Sequence, residues 1–217
     1  VSPLAWALLA AGGAAAVGNW LAVARRAKAL EYGCKPAAMA LLVGVALALD
    51  PAVPSRRWWF VAAGVASLAG DVFLMLPADR FVAGLGSFLL AHLAYIVGFR
   101  IDGGSTPALA ASAGGVALVA AVLARPILGG VRRSQPGLLV PVALYMTVIS
   151  AMVAAALATG IALAAAGAAL FLASDAMIAW ERFVAPRRWH RLAIIVTYHL
   201  GQAGLVLSLT RGGNPPV

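Results

Sequence analysis

Two aspartates stand where an apolar chain has least use for them. "GDVFLML" at 70–76 sets Asp71 among residues suited to a lipid interior, and "SDAMIAW" at 174–180 does the same for Asp175 about a hundred residues later. Around them the chain carries His92, Tyr95, Tyr145, Tyr198 and Gln202, all able to hold or orient a proton. Two carboxylates in one dry cavity drive each other to different protonation states, one an acid and the other a base at a single pH. Such a pair suits a hydrolysis whose substrate arrives from lipid and whose rate depends on protonating a poor base. A vinyl ether is a substrate of that kind. Its β-carbon accepts a proton to give an oxocarbenium ion, which a neighbouring carboxylate stabilises while activating the attacking water.

The elements that must position these groups are membrane helices. Of 217 residues, 63% are hydrophobic and 11% charged, and the mean hydropathy is +0.96, too apolar for a soluble domain. A spanning helix needs about 20 apolar residues, and runs of that kind predict eight segments, 4–23, 37–53, 58–77, 82–100, 107–124, 138–158, 161–180 and 191–210, in a single all-α membrane domain over 1–217. The net charge of +9 reads as positive-inside bias rather than as a nucleic-acid surface. Connections one, three, five and seven hold Arg25, Arg26, Lys28, Lys35, Arg80, Arg125, Arg132, Arg133, Arg182, Arg187, Arg188 and Arg191, whereas the opposite side holds Arg56, Arg57, Arg100 and Arg211. That imbalance puts both termini outside and the basic ends in the cytoplasm. The first positive charge follows the first segment, so that segment is expected to stay as a helix and not to be a cleaved leader.

Counting along the expected helices at 1.5 Å per residue gives the polar residues a shared depth. Asp71 and Asp175 fall about 8–9 Å inside the basic boundary, Tyr145 and Tyr198 at a similar level, Asn19 near the end of the first helix, and His92, Tyr95 and Gln202 deeper. An Asp near the centre of a membrane helix costs roughly 2.5–3.5 kcal/mol, which argues for a shared interior cavity over lipid exposure. Helical phase groups Gly64, Ser67 and Asp71 on one stripe and Phe88, His92, Tyr95 and Phe99 on another. Tyr198 and Gln202 share a face, while His199 points about 100° away from Tyr198. "DVFLMLPADRF" at 71–81 echoes "DAMIAWERF" at 175–183, as a parallel four-plus-four repeat would require. Cys34, the single cysteine, excludes an internal disulfide, and no HExxH, P-loop or GxGxxG pattern occurs, so no cofactor or metal is expected.

The stretches that carry these residues resemble the YhhN-like membrane proteins, whose characterised members are lysoplasmalogenases. The resemblance rests on "LAGDVFLML", "FVAGLGSFLLAHLAYIVGF" at 81–99, "GAALFLASDAMIAWERF" at 167–183 and "TYHLGQAGL" at 197–205. It implies about eight helices and cleavage of the alkenyl ether of a lysoplasmalogen to a fatty aldehyde and a glycerophospho-base. It also implies Asp71 and Asp175 as the catalytic pair, with His92, Tyr95, Tyr198 and Gln202 polarising the ether or holding water. Asn19, Lys35 and Tyr145 match less distinctive family positions. The implied partner is a lysophospholipid in a bacterial plasma membrane, and oligomeric state stays open.

Plainer readings stand beside this one. The aspartates could be a packing pair, His92 a satisfied core histidine, and Tyr145, Tyr198 and Gln202 polar glue between helices. The basic residues are topology signals first, with Lys35, Arg80 and Arg182 as candidates for a lipid phosphate. Which aspartate is the acid is open, with a slight preference for Asp71 beside Val72 and Phe73. A metal-dependent lipid hydrolase using His92 and the aspartates, and a proton-coupled transporter, are the competing classes. An aspartyl protease lacks its GxGD, since Leu68 occupies the first Gly position.

Overall fold

Helix signals at the chain's turns are local and legible. Ser2 accepts from the Ala5 N–H at 3.2 Å ahead of Pro3, and Ser105 does the same for Ala108 ahead of Pro107, so both helices start on a capped turn with Pro in its first positions. Arg26 takes a left-handed conformation (φ 58°) and closes the first helix by donating to Ala22 and Val23. The computed structural model describes residues 1–101 and 103–210. Among them are eight α-helices, α1 (Pro3–Arg25), α2 (Lys28–Ala48), α3 (Pro54–Met75), α4 (Phe81–Arg100), α5 (Thr106–Ser134), α6 (Leu139–Ala158), α7 (Ala162–Phe183) and α8 (His190–Leu207), and no strand. All eight are long and apolar enough to cross a membrane.

Each expected segment corresponds to one helix, but two ends move. The second helix starts at Lys28 instead of 37, and the fifth runs on to Ser134 instead of 124. Hydropathy stops at charges, whereas a helix does not: Glu31 pairs with Lys28 at 3.1 Å and Arg191 at 3.3 Å, and α2 passes through Pro36 as α5 passes through Pro126. Lys35 is therefore a helical residue two turns into α2, not part of a loop. Arg125, Arg132 and Arg133 likewise ride on α5, whose 29 residues span about 43 Å and overshoot a hydrocarbon core of about 30 Å. Arg211 lies outside the described residues.

The chain packs as consecutive helix hairpins, α1 with α2, α3 with α4, α5 with α6 and α7 with α8. Between hairpins, α2 lies on α3, α4 on α6, α6 on α7, and α8 on α1 and α2. One close approach joins α7 and α8. A Cβ on Gly167 would stand 2.6 Å from the Leu205 nitrogen, and one on Gly201 2.9 Å from the Phe171 nitrogen, so the two backbones touch and small residues are required there. The α5 helix is peripheral, with only 6% of its apolar window buried. Leu118, Val122 and Val140 are exposed apolar side chains of the kind that lipid covers.

Candidate active site

The residues of the expected polar layer do meet, in two clusters. In the first, Asp71 near the end of α3 has both oxygens engaged: Lys35 Nζ lies 3.1 Å from Oδ1, and the Tyr198 hydroxyl donates to Oδ2 at 2.7 Å. Asp71 is 1% exposed. The Tyr198 oxygen also lies 3.5 Å from Met39 Sδ, so α2, α3 and α8 converge on this carboxylate. Deeper on the same face of α8, Gln202 accepts from the Tyr95 hydroxyl at 2.7 Å.

The second cluster forms around Asp175 on α7. The Tyr145 hydroxyl donates to Asp175 Oδ2 in a short hydrogen bond, and His92 Nε2 lies 2.9 Å from the Tyr145 oxygen and 3.4 Å from Asp175 Oδ2. With the hydroxyl hydrogen committed to Asp175, His92 serves as donor through Nε2–H, which selects that tautomer. Asp175 Oδ1 has no partner among the described residues, and the side chain is 9% exposed. Nearby, Ser174 donates to the Ile194 carbonyl at 3.1 Å and pins α7 to α8 one residue before the carboxylate.

Aromatic rings separate the clusters. Phe171 stands edge-on to His92 (4.8 Å between centroids) and to Tyr198 (5.4 Å), and Phe88 stands edge-on to Tyr198 (5.9 Å) and Phe171 (6.0 Å). Gly70, beside Asp71, leaves room for the Phe88 ring, which a Cβ would meet at 2.7 Å.

An apolar cavity reaches one cluster. Its walls come from α3 to α7, with Phe88, Ile127, Ile149 and Leu172 among them, and Asp175 is its one ionisable carboxyl, beside the Tyr145 phenol. Asp71 is not among the lining residues, so the expected single cavity shared by both aspartates is instead a cavity at Asp175 and a closed ion pair at Asp71. Among the described residues no set of three His, Cys, Asp or Glu side chains is arranged to hold a metal ion.

Of the remaining expected residues, Asn19 is fully buried with neither amide atom partnered among the described residues. His199 points away from Asp71, as helical phase predicts, and accepts from Trp20 Nε1 at 3.0 Å. Sequence reasoning underrated Tyr145, whose only signal was its depth, and missed Phe171, although its place four residues before Asp175 puts both on one helical face.

Residues 30–209 match the YhhN family. Among curated proteins, the chain is 35% identical over 152 residues to the Homo sapiens protein named lysoplasmalogenase TMEM86B. That alignment covers 70% of this chain and 63% of the relative. It is 36% identical over 159 residues to a Mycobacterium tuberculosis protein named lysoplasmalogenase, covering 68% and 58%. The Mus musculus lysoplasmalogenase TMEM86B is 32% identical over 162 residues, covering 74% and 66%. The aligned stretch thus spans less than two thirds of each of these relatives. No solved structure matches the chain significantly.

Proposed function

The chain belongs to the YhhN family, and from that premise we propose that it hydrolyses the vinyl-ether bond of a lysoplasmalogen-like lysophospholipid, releasing a fatty aldehyde and a glycerophospho-base. The observation that carries the reading is a carboxyl group with one unpartnered oxygen on the wall of an apolar cavity. An apolar lining of this kind suits an alkenyl chain, and Asp175 is the one carboxyl among the lining residues to meet the ether it carries. We read the basic helix ends as cytoplasmic under the positive-inside rule, with this site opening towards that leaflet of a bacterial plasma membrane.

In this mechanism protonated Asp175 gives its proton to the β-carbon of the vinyl ether, and the oxygen lone pair completes an oxocarbenium ion. The resulting carboxylate faces that cation and then takes a proton from the water that attacks the α-carbon. The hemiacetal collapses, its C–O bond breaks, and aldehyde and alcohol leave. Overall, one water is added and one ether bond is lost. Tyr145 and His92 hold Oδ2, which leaves Oδ1 to face the substrate. Lys35 and Tyr198 engage both oxygens of Asp71, which leaves it no oxygen to turn towards a substrate and favours Asp175 as the acid. Asp71 is a positioning residue in this scheme: it fixes Tyr198, whose ring packs on the two phenylalanines that border the reaction site.

The test is aldehyde release from a synthetic alkenyl lysophospholipid by purified protein in detergent, against the saturated alkyl analogue. Release that spares the alkyl ether and is lost in Asp175→Asn is the expected result. Folded wild-type protein that releases no aldehyde would overturn the reading and favour a transporter.

A further inference from the structure

The cavity ends at Phe81 and Phe183, whose rings meet edge-on at 5.7 Å, and directly over Phe81 lies a cation. The guanidinium of Arg182 stacks 4.0 Å above that ring. It is gripped in a forked manner by Asp79, from the turn between α3 and α4, at 2.8 and 3.4 Å, with Gln135 Oε1 at 3.4 Å. Together with Arg80 these groups line a polar recess that shares Phe81 with the apolar cavity. Asp79 is 67% exposed and Arg182 25%, so the pair adds little to folding. The Arg182 Nε is buried and has no partner among the described residues. Hydrogen bonds from Arg182 and from the Phe81 N–H hold the Asp79 carboxyl below its usual range, which keeps it an anion at neutral pH.

Helical geometry places this cation on the substrate's axis. Arg182 follows Asp175 by seven residues, so it lies on the same face of α7 about 10 Å further along. In a glycerophospholipid the phosphorus stands five bonds from the sn-1 ether oxygen, about 6 Å when extended. Contact distances at the two ends make up the remainder. A fork that already grips a carboxylate is shaped for two oxygens of a phosphate.

Resting on the vinyl-ether reading, we propose that Arg182 is the residue that selects a phosphate-bearing amphiphile, and that Asp79 occupies the phosphate position until the lipid displaces it. The occupant is a single-chain glycerophospholipid. Its phosphate lies on Arg182 and its ether at Asp175, and its tail leaves past α5 into the bilayer. Arg80 adds a second positive charge to the recess.

Binding of a saturated 1-O-alkyl lysophospholipid and of the alkylglycerol with the same chain but no phosphate, to protein in nanodiscs, tests this apart from hydrolysis. Wild type binds the phosphate-bearing ether more tightly. Arg182→Gln weakens that ligand about tenfold and leaves the alkylglycerol within about twofold. Asp79→Asn tightens the phosphate-bearing ligand several-fold, and Arg182→Lys, with charge but no fork, falls between. Arg182→Gln weakening both ligands alike, or neither, overturns the proposal. Wild type that shows the preference yet releases no aldehyde overturns only the vinyl-ether reading; wild type that releases aldehyde while Arg182→Gln keeps the preference overturns only this one.

Discussion

The Asp71 and Asp175 clusters are assembled alike and finished differently. Each carboxylate sits on the third helix of its half. Each is held by a side chain from the second helix of that half, Lys35 for Asp71 and Tyr145 for Asp175, and by one from the fourth helix of the other half, Tyr198 and His92 respectively. That exchange is the arrangement a parallel four-plus-four repeat would generate. The difference lies in the second-helix residue. An ammonium closes Asp71 into a neutralised pair with both oxygens engaged, whereas a phenol leaves Asp175 with an unpartnered oxygen on a cavity wall. On the proposed mechanism, one scaffold yields a brace in one place and a reactive group in the other.

Exchanging each carboxylate for its amide gives the largest contrast. Asp175→Asn removes the proton donor and is expected to lower kcat about 10³-fold, within the range of general acid catalysis, with thermal unfolding in detergent little changed. Asp71→Asn leaves the half-buried Lys35 without its counter-charge, and since breaking a fully buried pair costs about 3–5 kcal/mol, a somewhat smaller loss and a lower unfolding midpoint should be its main effect. If aldehyde release and unfolding responded the other way round, the brace and the reactive group would be misassigned. The comparison sharpens with Lys35→Met combined with Asp71→Leu. Replacing both charges with apolar groups of similar size should restore most of the stability lost in Asp71→Asn and keep turnover within about tenfold of wild type.

The two tyrosines make the same comparison at lower amplitude. Tyr145→Phe removes the donor that holds Asp175 and the acceptor that holds His92, so kcat should fall about 10- to 100-fold with KM steady. Tyr198→Phe leaves Asp71 paired to Lys35 and removes one hydrogen bond to a charged group, worth about 1.5–3 kcal/mol. Its effect belongs in the unfolding midpoint, with turnover reduced by less than about tenfold. Steady-state kinetics and thermal unfolding on the same preparations separate the two.

Much of this architecture was readable before any coordinates. Apolar runs about 20 residues long gave the eight helices, because lipid imposes that length, and the scarcity of polar residues among them exposed the shared layer. What the sequence hid follows from two physical facts. Charges carried on a helix resemble loop residues to a hydropathy count, so Lys35 was placed outside α2, and its pairing with Asp71 was out of reach. Pairing between helices depends on rotation and register, which one sequence leaves free. Thus Tyr145 and Tyr198, indistinguishable by depth, could not be assigned to different carboxylates, nor could the cavity be placed on the side of Asp175.

The smallest expected effect concerns the edge of the Asp71 side. His199 is adjacent in sequence to Tyr198, yet helical phase turns it towards α1, where it accepts from Trp20 Nε1 at 3.0 Å. A neutral hydrogen bond of this kind contributes about 1 kcal/mol. Trp20→Phe keeps an aromatic ring at the position and removes the donor together with part of the indole's packing, so it should shift the unfolding midpoint by a few degrees and leave aldehyde release unchanged. The pH dependence of turnover separates bracing from chemistry. If His199 takes no part in proton transfer, Trp20→Phe leaves the profile where it was; a displaced profile would bring His199 into the reaction and extend the reactive region across Tyr198 to the side that the Lys35 pair is held to close.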